Sequence, residues 1–151
     1  MQIYYFLYLC PEQTIILAME IENQSVDYRP LILVAEDDDS NFKLIKAIIG
    51  KKCEVQWARN GEEIVSLFRE YRDRADAILM DIKMPVMNGY EATKQIRALD
   101  DPALAGITIL AMTANAFDED RKKALKCGMD GFLSKPIIIE ELIDTLQKNL
   151  D

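Results

Sequence analysis

From residue 31 onward, short apolar runs alternate with stretches whose apolar positions recur at helical spacing. Leu31 to Ala35 is unbroken apolar sequence, the pattern of a parallel strand buried on both faces. A helix is predicted next, with Ser40 as its N-cap and Phe42, Leu44, Ile45, Ile48 and Ile49 as its apolar positions. Gly50 marks its end. Cys53 to Ala58 reads as a second strand. Asn60-Gly61 is a turn signal, and Ile64, Val65, Leu67, Phe68 and Tyr71 outline a second helix. Ala75 to Met80 is a third, very apolar strand that runs straight into Asp81. A loop with Met84-Pro85 and Asn88-Gly89 leads to a helix from about Tyr90 to Leu99. Ile107 to Met112 is the fourth strand, Asp118 to Cys127 a charged helix stopped by Gly128, Gly131 to Ser134 a short fifth strand, and Glu140 to Leu150 the last helix. Strands and helices in strict alternation predict right-handed crossovers and a parallel sheet covered on both faces.

Residues 1–28 stand outside that rhythm. Ile3 to Leu9 and Thr14 to Ile21 could be strands around Cys10-Pro11-Glu12, and Glu22 to Ser25 reads as a linker. We therefore divide the chain into an N-terminal extension or linker, 1–29, and a domain, 30–151. The early apolar run from Ile3 to Cys10 is far short of the roughly 20 residues that span a bilayer. No Lys or Arg occurs before Arg29, which fits a signal or transit peptide badly. A cytoplasmic location with no membrane insertion is expected.

Composition narrows the chemistry. Eighteen basic against 26 acidic residues give a net charge of -8, which argues against direct nucleic-acid binding. The three cysteines, Cys10, Cys53 and Cys127, are odd in number and show no CxxC spacing, so reduced thiols are expected. Histidine is absent, which excludes Ser-His and Cys-His pairs and His-ligated zinc. Any histidine-based phosphodonor must therefore lie outside this sequence.

Ligands of open parallel sheets bind beyond the carboxyl ends of the strands. By that rule the first strand delivers Glu36-Asp37-Asp38-Asp39, the third Asp81, the fourth Thr113-Ala114, and the fifth Ser134-Lys135-Pro136. Converging carboxylates repel by about 4 kcal/mol per pair at 4 Å and an effective dielectric of 20. A cation is needed, and an all-oxygen donor set points to Mg²⁺. Asp81 can then attack phosphorus as a carboxylate nucleophile, Lys135 can offset the phosphoryl charge, and Thr113 can hydrogen-bond a phosphoryl oxygen. Taken singly, each residue has a plainer reading: an acidic run is often a solvated loop, and a Thr after a strand often packs or caps. The set is more specific than its members.

Across about residues 30–150 the sequence resembles the receiver domain of response regulators. The resemblance is carried by Ile32 to Asp38, by Leu79-Met80-Asp81-Ile82-Lys83-Met84-Pro85-Val86-Met87-Asn88-Gly89, by Ala111 to Ala114, and by Ser134-Lys135-Pro136. It implies an α/β fold of flavodoxin-like type, a doubly wound five-stranded parallel sheet of order 2-1-3-4-5 with helices on both faces. It implies that Asp81 is the phosphoacceptor, that Asp37, Asp81 and the Lys83 backbone carbonyl ligate Mg²⁺, and that Glu36 acts mainly through water. Thr113 and Phe132 become the switch pair. Lys83, Ala114 and Asn115 would set phosphoryl lifetime. The donor would be a sensor histidine kinase or a histidine phosphotransfer protein, and the 107–150 face would meet a downstream partner, with a homodimer also open. Isoleucine at 137, 138 and 139 departs from relatives that place a polar cap before the last helix.

The context is either a stand-alone regulator or a module of a hybrid sensor kinase, and a faint likeness of Gln2 to Leu9 to the last strand of a kinase ATP-binding domain leans towards the second. Two other functions fit these residues less well. An Asp-nucleophile phosphatase would carry a second Asp two residues after the nucleophile, where Lys83 stands here. A pseudo-receiver that only mediates contacts would have lost an acidic or Lys position, and none is lost. Dinucleotide binding fails for want of GxGxxG after the first strand.

Overall fold

In the computed structural model, the structure describes residues 28–149 apart from residue 116. The two strands suggested within residues 1–28 lie outside the described residues. The elements are β1 (Leu31–Ala35), α1 (Asp39–Ile49), β2 (Glu54–Ala58), α2 (Gly61–Glu70), β3 (Ala75–Asp81), α3 (Gly89–Arg97), the short α4 (Pro102–Ala105), β4 (Thr108–Thr113), α5 (Asp118–Cys127), β5 (Gly131–Ser134) and α6 (Ile139–Asn149). The strands form one sheet in the order β2-β1-β3-β4-β5, all pairs parallel, as the resemblance implied.

Strand periodicity divides the core in two. Leu31, Leu33, Ala35, Ile78, Met80, Ile109 and Ala111 face α2, α3 and α5 through Ile64, Phe68, Ala92, Ile96 and Ala124. Ile32, Val34, Ala77, Leu79, Leu110, Met112 and Leu133 face α1 and α6 through Phe42, Ile45, Ile49, Leu142 and Leu146. Alternate side chains of a strand point to opposite faces, so unbroken apolar strands are what a sheet covered on both sides requires. Fully burying each Leu or Ile contributes about 1.5–3 kcal/mol.

The starts of α1 to α4 carry side-chain caps, whereas α5 begins after Phe117 without one. Asn60 and Asn88 accept the backbone N–H groups of Glu63 and Glu91, and Glu91 returns a bond to Asn88 as a capping box. The α1 cap is Asp38, which accepts from the Asn41 N–H, and Ser40 lies inside the first turn. Both residue types cap well, and the extended backbone at Asp38 decides between them. The short α4 was not anticipated; Asp101 caps it and Pro102 opens it. At Gly128 the chain turns with φ 104°, in the left-handed region that favours glycine, and ends α5.

At the amino-terminal edge of the sheet, Asp76 accepts from the Tyr28 hydroxyl at 2.7 Å and from the Leu31 N–H at 2.8 Å. Arg29 donates to the carbonyls of Gly50 and Cys53. Tyr28 and Arg29, assigned to the extension from sequence, thus bond to the domain. Among the described residues no helix is long and apolar enough to cross a membrane.

Candidate functional site

At the opposite edge, the strand register fixes which residues meet. Ala35 aligns with Ala58 on one side and Met80 on the other, so Glu36 and Asp81 leave neighbouring strands at one level. Asp81 aligns with Met112 and Thr113 with Ser134, which sets Thr113 and Lys135 just beyond. The sequence placed Glu36, Asp37, Asp81, Thr113 and Lys135 on one edge, and all five line a single cavity of about 220 Å³. Lys83, Ala114 and Asn115 line it too, as do Asp38 and Asn41. Phe132 is not among its lining residues; its half-buried ring packs on the α2/α3/α5 side and lies 5.3 Å from the Arg121 guanidinium.

The charges are close and mostly dry. Glu36 is 0% exposed and Asp81 4%, whereas Asp37 is exposed. The Lys135 ammonium sits 2.7 Å from Glu36 Oε2 and 3.0 Å from Asp81 Oδ2. The backbone N–H of Lys83 donates to Asp81 Oδ1 at 3.2 Å, and that of Asp38 to Glu36 Oε1 at 3.1 Å. Thr113 Oγ1 accepts from the Asn115 N–H at 3.1 Å, which leaves its own proton to donate elsewhere.

Burial pushes the Asp81 carboxyl up to about 7, and the Glu36 charge pushes the same way; the Lys135 charge and hydrogen bond and the Lys83 N–H only partly offset them. Burial would depress Lys135, but its hydrogen bond to Glu36 and the nearby Asp81 charge reverse that and hold it above the usual lysine value. One carboxylate oxygen from each of Glu36, Asp37 and Asp81 lies within 4.8 Å of the other two. Among the described residues Lys135 is the one ammonium ion-paired with this set, so the carboxylates outnumber the cations paired with them. A divalent cation with a taste for oxygen fits both the donor set and the deficit.

The loop after β3 is pinned against the site. The Ile82 N–H donates to the Met112 carbonyl, that of Gly89 to Ile82, and that of Gly61 to Met87. A Cβ at Gly89 would overlap the Asp81 carbonyl oxygen, so only glycine lets α3 start this close to the strand end. Val86, exposed at the loop tip, has φ 68°, uncommon for a β-branched residue. Two side chains at the site were missed from sequence. Asn41 lines the cavity, and the Trp57 indole N–H donates to the Glu36 carbonyl at 2.8 Å. Helical position would have brought Asn41 near; no periodicity reports an indole bonding across strands.

A doubly wound parallel sheet with an acidic cavity at its carboxyl edge, where Lys135 bridges two buried carboxylates beside a buried threonine, defines a class of α/β protein. A profile for the response regulator receiver domain matches residues 32–147, and the chain belongs to that family. It is 37% identical over 121 residues to hybrid signal transduction histidine kinase I of Dictyostelium discoideum, a match covering 76% of this chain and 7% of the kinase. It is 36% identical over 120 residues to the polar-differentiation response regulator DivK of Brucella anthropi, covering 79% of this chain and 94% of DivK. Its fold matches the crystal structure of the receiver domain of a sensor histidine kinase from Pseudomonas aeruginosa PAO1, with a magnesium ion coordinated in the active-site cleft. That match has a TM-score of 0.72 and 36% identity, covering 82% of this chain and 98% of that one.

Proposed function

We propose that this chain is a phosphoacceptor receiver whose Asp81 takes a phosphoryl group from a phosphohistidine donor and passes the change on as a change of shape. The observation that carries the reading is the Asp81 carboxylate, opening on a cavity with Lys135 3.0 Å away and with Glu36 and Asp37 beside it. An Asp81 carboxylate oxygen attacks phosphorus, the phosphorus–nitrogen bond of the donor breaks, and the imidazole leaves with that electron pair. Asp37, Asp81 and the Lys83 carbonyl would hold Mg²⁺, with Glu36 acting through water. When bound, the ion supplies positive charge to the phosphoryl oxygens during transfer. Lys135 balances the transferred charge, and Thr113 donates its hydroxyl proton to a phosphoryl oxygen. Water later attacks the acyl phosphate; Lys83, Ala114 and Asn115, all at the cavity wall, govern its approach.

Phosphorylation adds about -1.5 to -2 charge units if an aspartyl phosphate behaves like other phosphorylated side chains. Lys135 must then leave its bridge between Glu36 and Asp81 to follow the new charge, and Thr113 moves with it. Phe132 fills the space behind Thr113, and residues 107–150 repack to present an altered face to a downstream protein. The donor is a sensor histidine kinase or a histidine phosphotransfer protein, since this sequence has no histidine of its own. A hybrid kinase module and a stand-alone regulator both suit the relatives described above.

Acetyl phosphate and Mg²⁺ should add one phosphoryl group to the wild type by intact mass and none to Asp81→Asn. A wild type that stays unmodified by acetyl phosphate and by a phosphohistidine protein would sink the proposal, as would equal labelling of the variant.

A further inference from the structure

Trp57 is half-buried in a contact set that the proposed chemistry does not use. Its indole N–H donates to the Glu36 carbonyl at 2.8 Å. One face stacks on Phe42 of α1, with centroids 4.1 Å apart and planes 4° from parallel. The Arg59 guanidinium lies 4.0 Å from the ring centroid, and Arg59 also pairs with Asp39 Oδ1 at 2.7 Å. The indole thus joins the end of β2 to the start of α1, and the acidic turn lies between them.

Glu36 is consequently gripped by β2 on both sides of its Cα. Its N–H donates to the Ala58 carbonyl at 3.0 Å, the last rung of the ladder. Its carbonyl lies past that rung, and the indole supplies a donor there. That carbonyl belongs to the planar peptide joining Glu36 to Asp37. Bonds to both the N–H and the carbonyl of Glu36 limit rotation about its backbone, which holds the Glu36 side-chain direction and the position from which Asp37 follows. The two carboxylates flank Asp81 within 4.8 Å. Groups behind metal ligands that set their orientation typically change metal affinity by about 10–100-fold when they are removed.

We propose that Trp57 is a positioning residue of the cation site, acting through the Glu36–Asp37 peptide. This rests on the reading of Glu36, Asp37 and Asp81 as the cation site, and the experiment separates the two. The full chain is titrated with Mg²⁺ alone by calorimetry, and its thermal midpoint is measured in EDTA. Trp57→Phe keeps a flat ring for Phe42 and Arg59 but removes the N–H. Because the chain has a single tryptophan, biosynthetic replacement by β-(3-benzothienyl)alanine gives a second, nearly isosteric form without the donor. Both forms should bind Mg²⁺ about tenfold more weakly, the lower end of the range for such supporting contacts, with the benzothienyl form keeping a near-wild-type EDTA midpoint. Wild-type binding with unchanged affinity in the benzothienyl form overturns the inference and spares the site, even if the EDTA midpoint falls. No Mg²⁺ binding by the wild type overturns both.

Discussion

Without a cation, the domain should be destabilised by the buried Asp81 carboxylate, and Asp81→Asn should relieve it. Asp81 is 4% exposed beside Glu36, and its carboxyl rises from 3.8 to about 7. A folded state that binds the proton more tightly than the unfolded chain is stabilised at low pH. That advantage fades as pH rises from about 4 through 7, because ionisation then costs more in the folded protein. Each pH unit across this window corresponds to about 1.4 kcal/mol, so the ceiling is about 4 kcal/mol. Water in the cavity and small relaxations lower it, giving an expected 2–4 kcal/mol, on the order of a third of a small domain's stability. Asparagine resembles the protonated acid and lacks this titration. Urea unfolding of both proteins in EDTA, followed by Trp57 fluorescence from pH 4.5 to 8, reads the gap directly. Groups remote from Asp81 titrate alike in both proteins and cancel in the difference, so the gap reports Asp81 together with its neighbours Glu36 and Lys135. Asp81→Asn should exceed the wild type by at most about 1 kcal/mol near pH 4.5, and the gap should widen up to about pH 7 and level off towards pH 8. Saturating Mg²⁺ should narrow the gap by stabilising the wild type. A gap that stays constant across the range would refute the placement of an uncompensated charge at Asp81.

Three further outcomes follow from contacts elsewhere. Arg97 donates to the carbonyls of Gly128, Ala105 and Ile107 and pairs with Asp130 at 2.9 Å, so Arg97→Ala should lower stability by about 2–3 kcal/mol in urea melts. Lysine cannot reproduce that fork and should rescue little of the loss; full rescue would count against the geometry. Gly89→Ala sets a Cβ against the Asp81 carbonyl oxygen and should cost about 1–3 kcal/mol while slowing labelling by acetyl phosphate, two effects that a stability melt and intact mass read separately. Asp37 is exposed, so Asp37→Ala should change the EDTA stability by less than about 0.5 kcal/mol yet weaken Mg²⁺ binding by calorimetry; unchanged binding would remove Asp37 from the site.

The sheet was legible because its inner strands are buried on both faces. Leu31 to Ala35, Ile78 to Met80 and Ile109 to Met112 had to be apolar throughout, and such runs have few competing readings. The edges of elements were less legible. Asp38 and Ser40 are both good caps, and only the backbone angle separates them. Four residues of α4 are too few to show a helical period, though Asp101-Pro102 held the cap and the first-turn proline. Leu44 fits the α1 pattern yet is 40% exposed, because it lies at the margin of the apolar stripe. The cavity was anticipated as a set of strand ends, since parallel strands deliver their carboxyl termini to one edge. Its internal bonding was not: that Lys135 would bridge Glu36 and Asp81, or that an indole would hold the Glu36 carbonyl, depends on side-chain reach across strands.

The anchoring of Tyr28 and Arg29 has a practical side. Asp76, Gly50 and Cys53 bind them where β1, β2 and β3 begin, and the acidic cavity lies where those strands end. Five residues of β1 at about 3.3 Å each put roughly 16 Å of sheet between the two. A fluorophore or carrier domain coupled just ahead of residue 28 therefore joins the molecule on the side opposite the acidic cavity, and its point of attachment leaves the mouth of that cavity open.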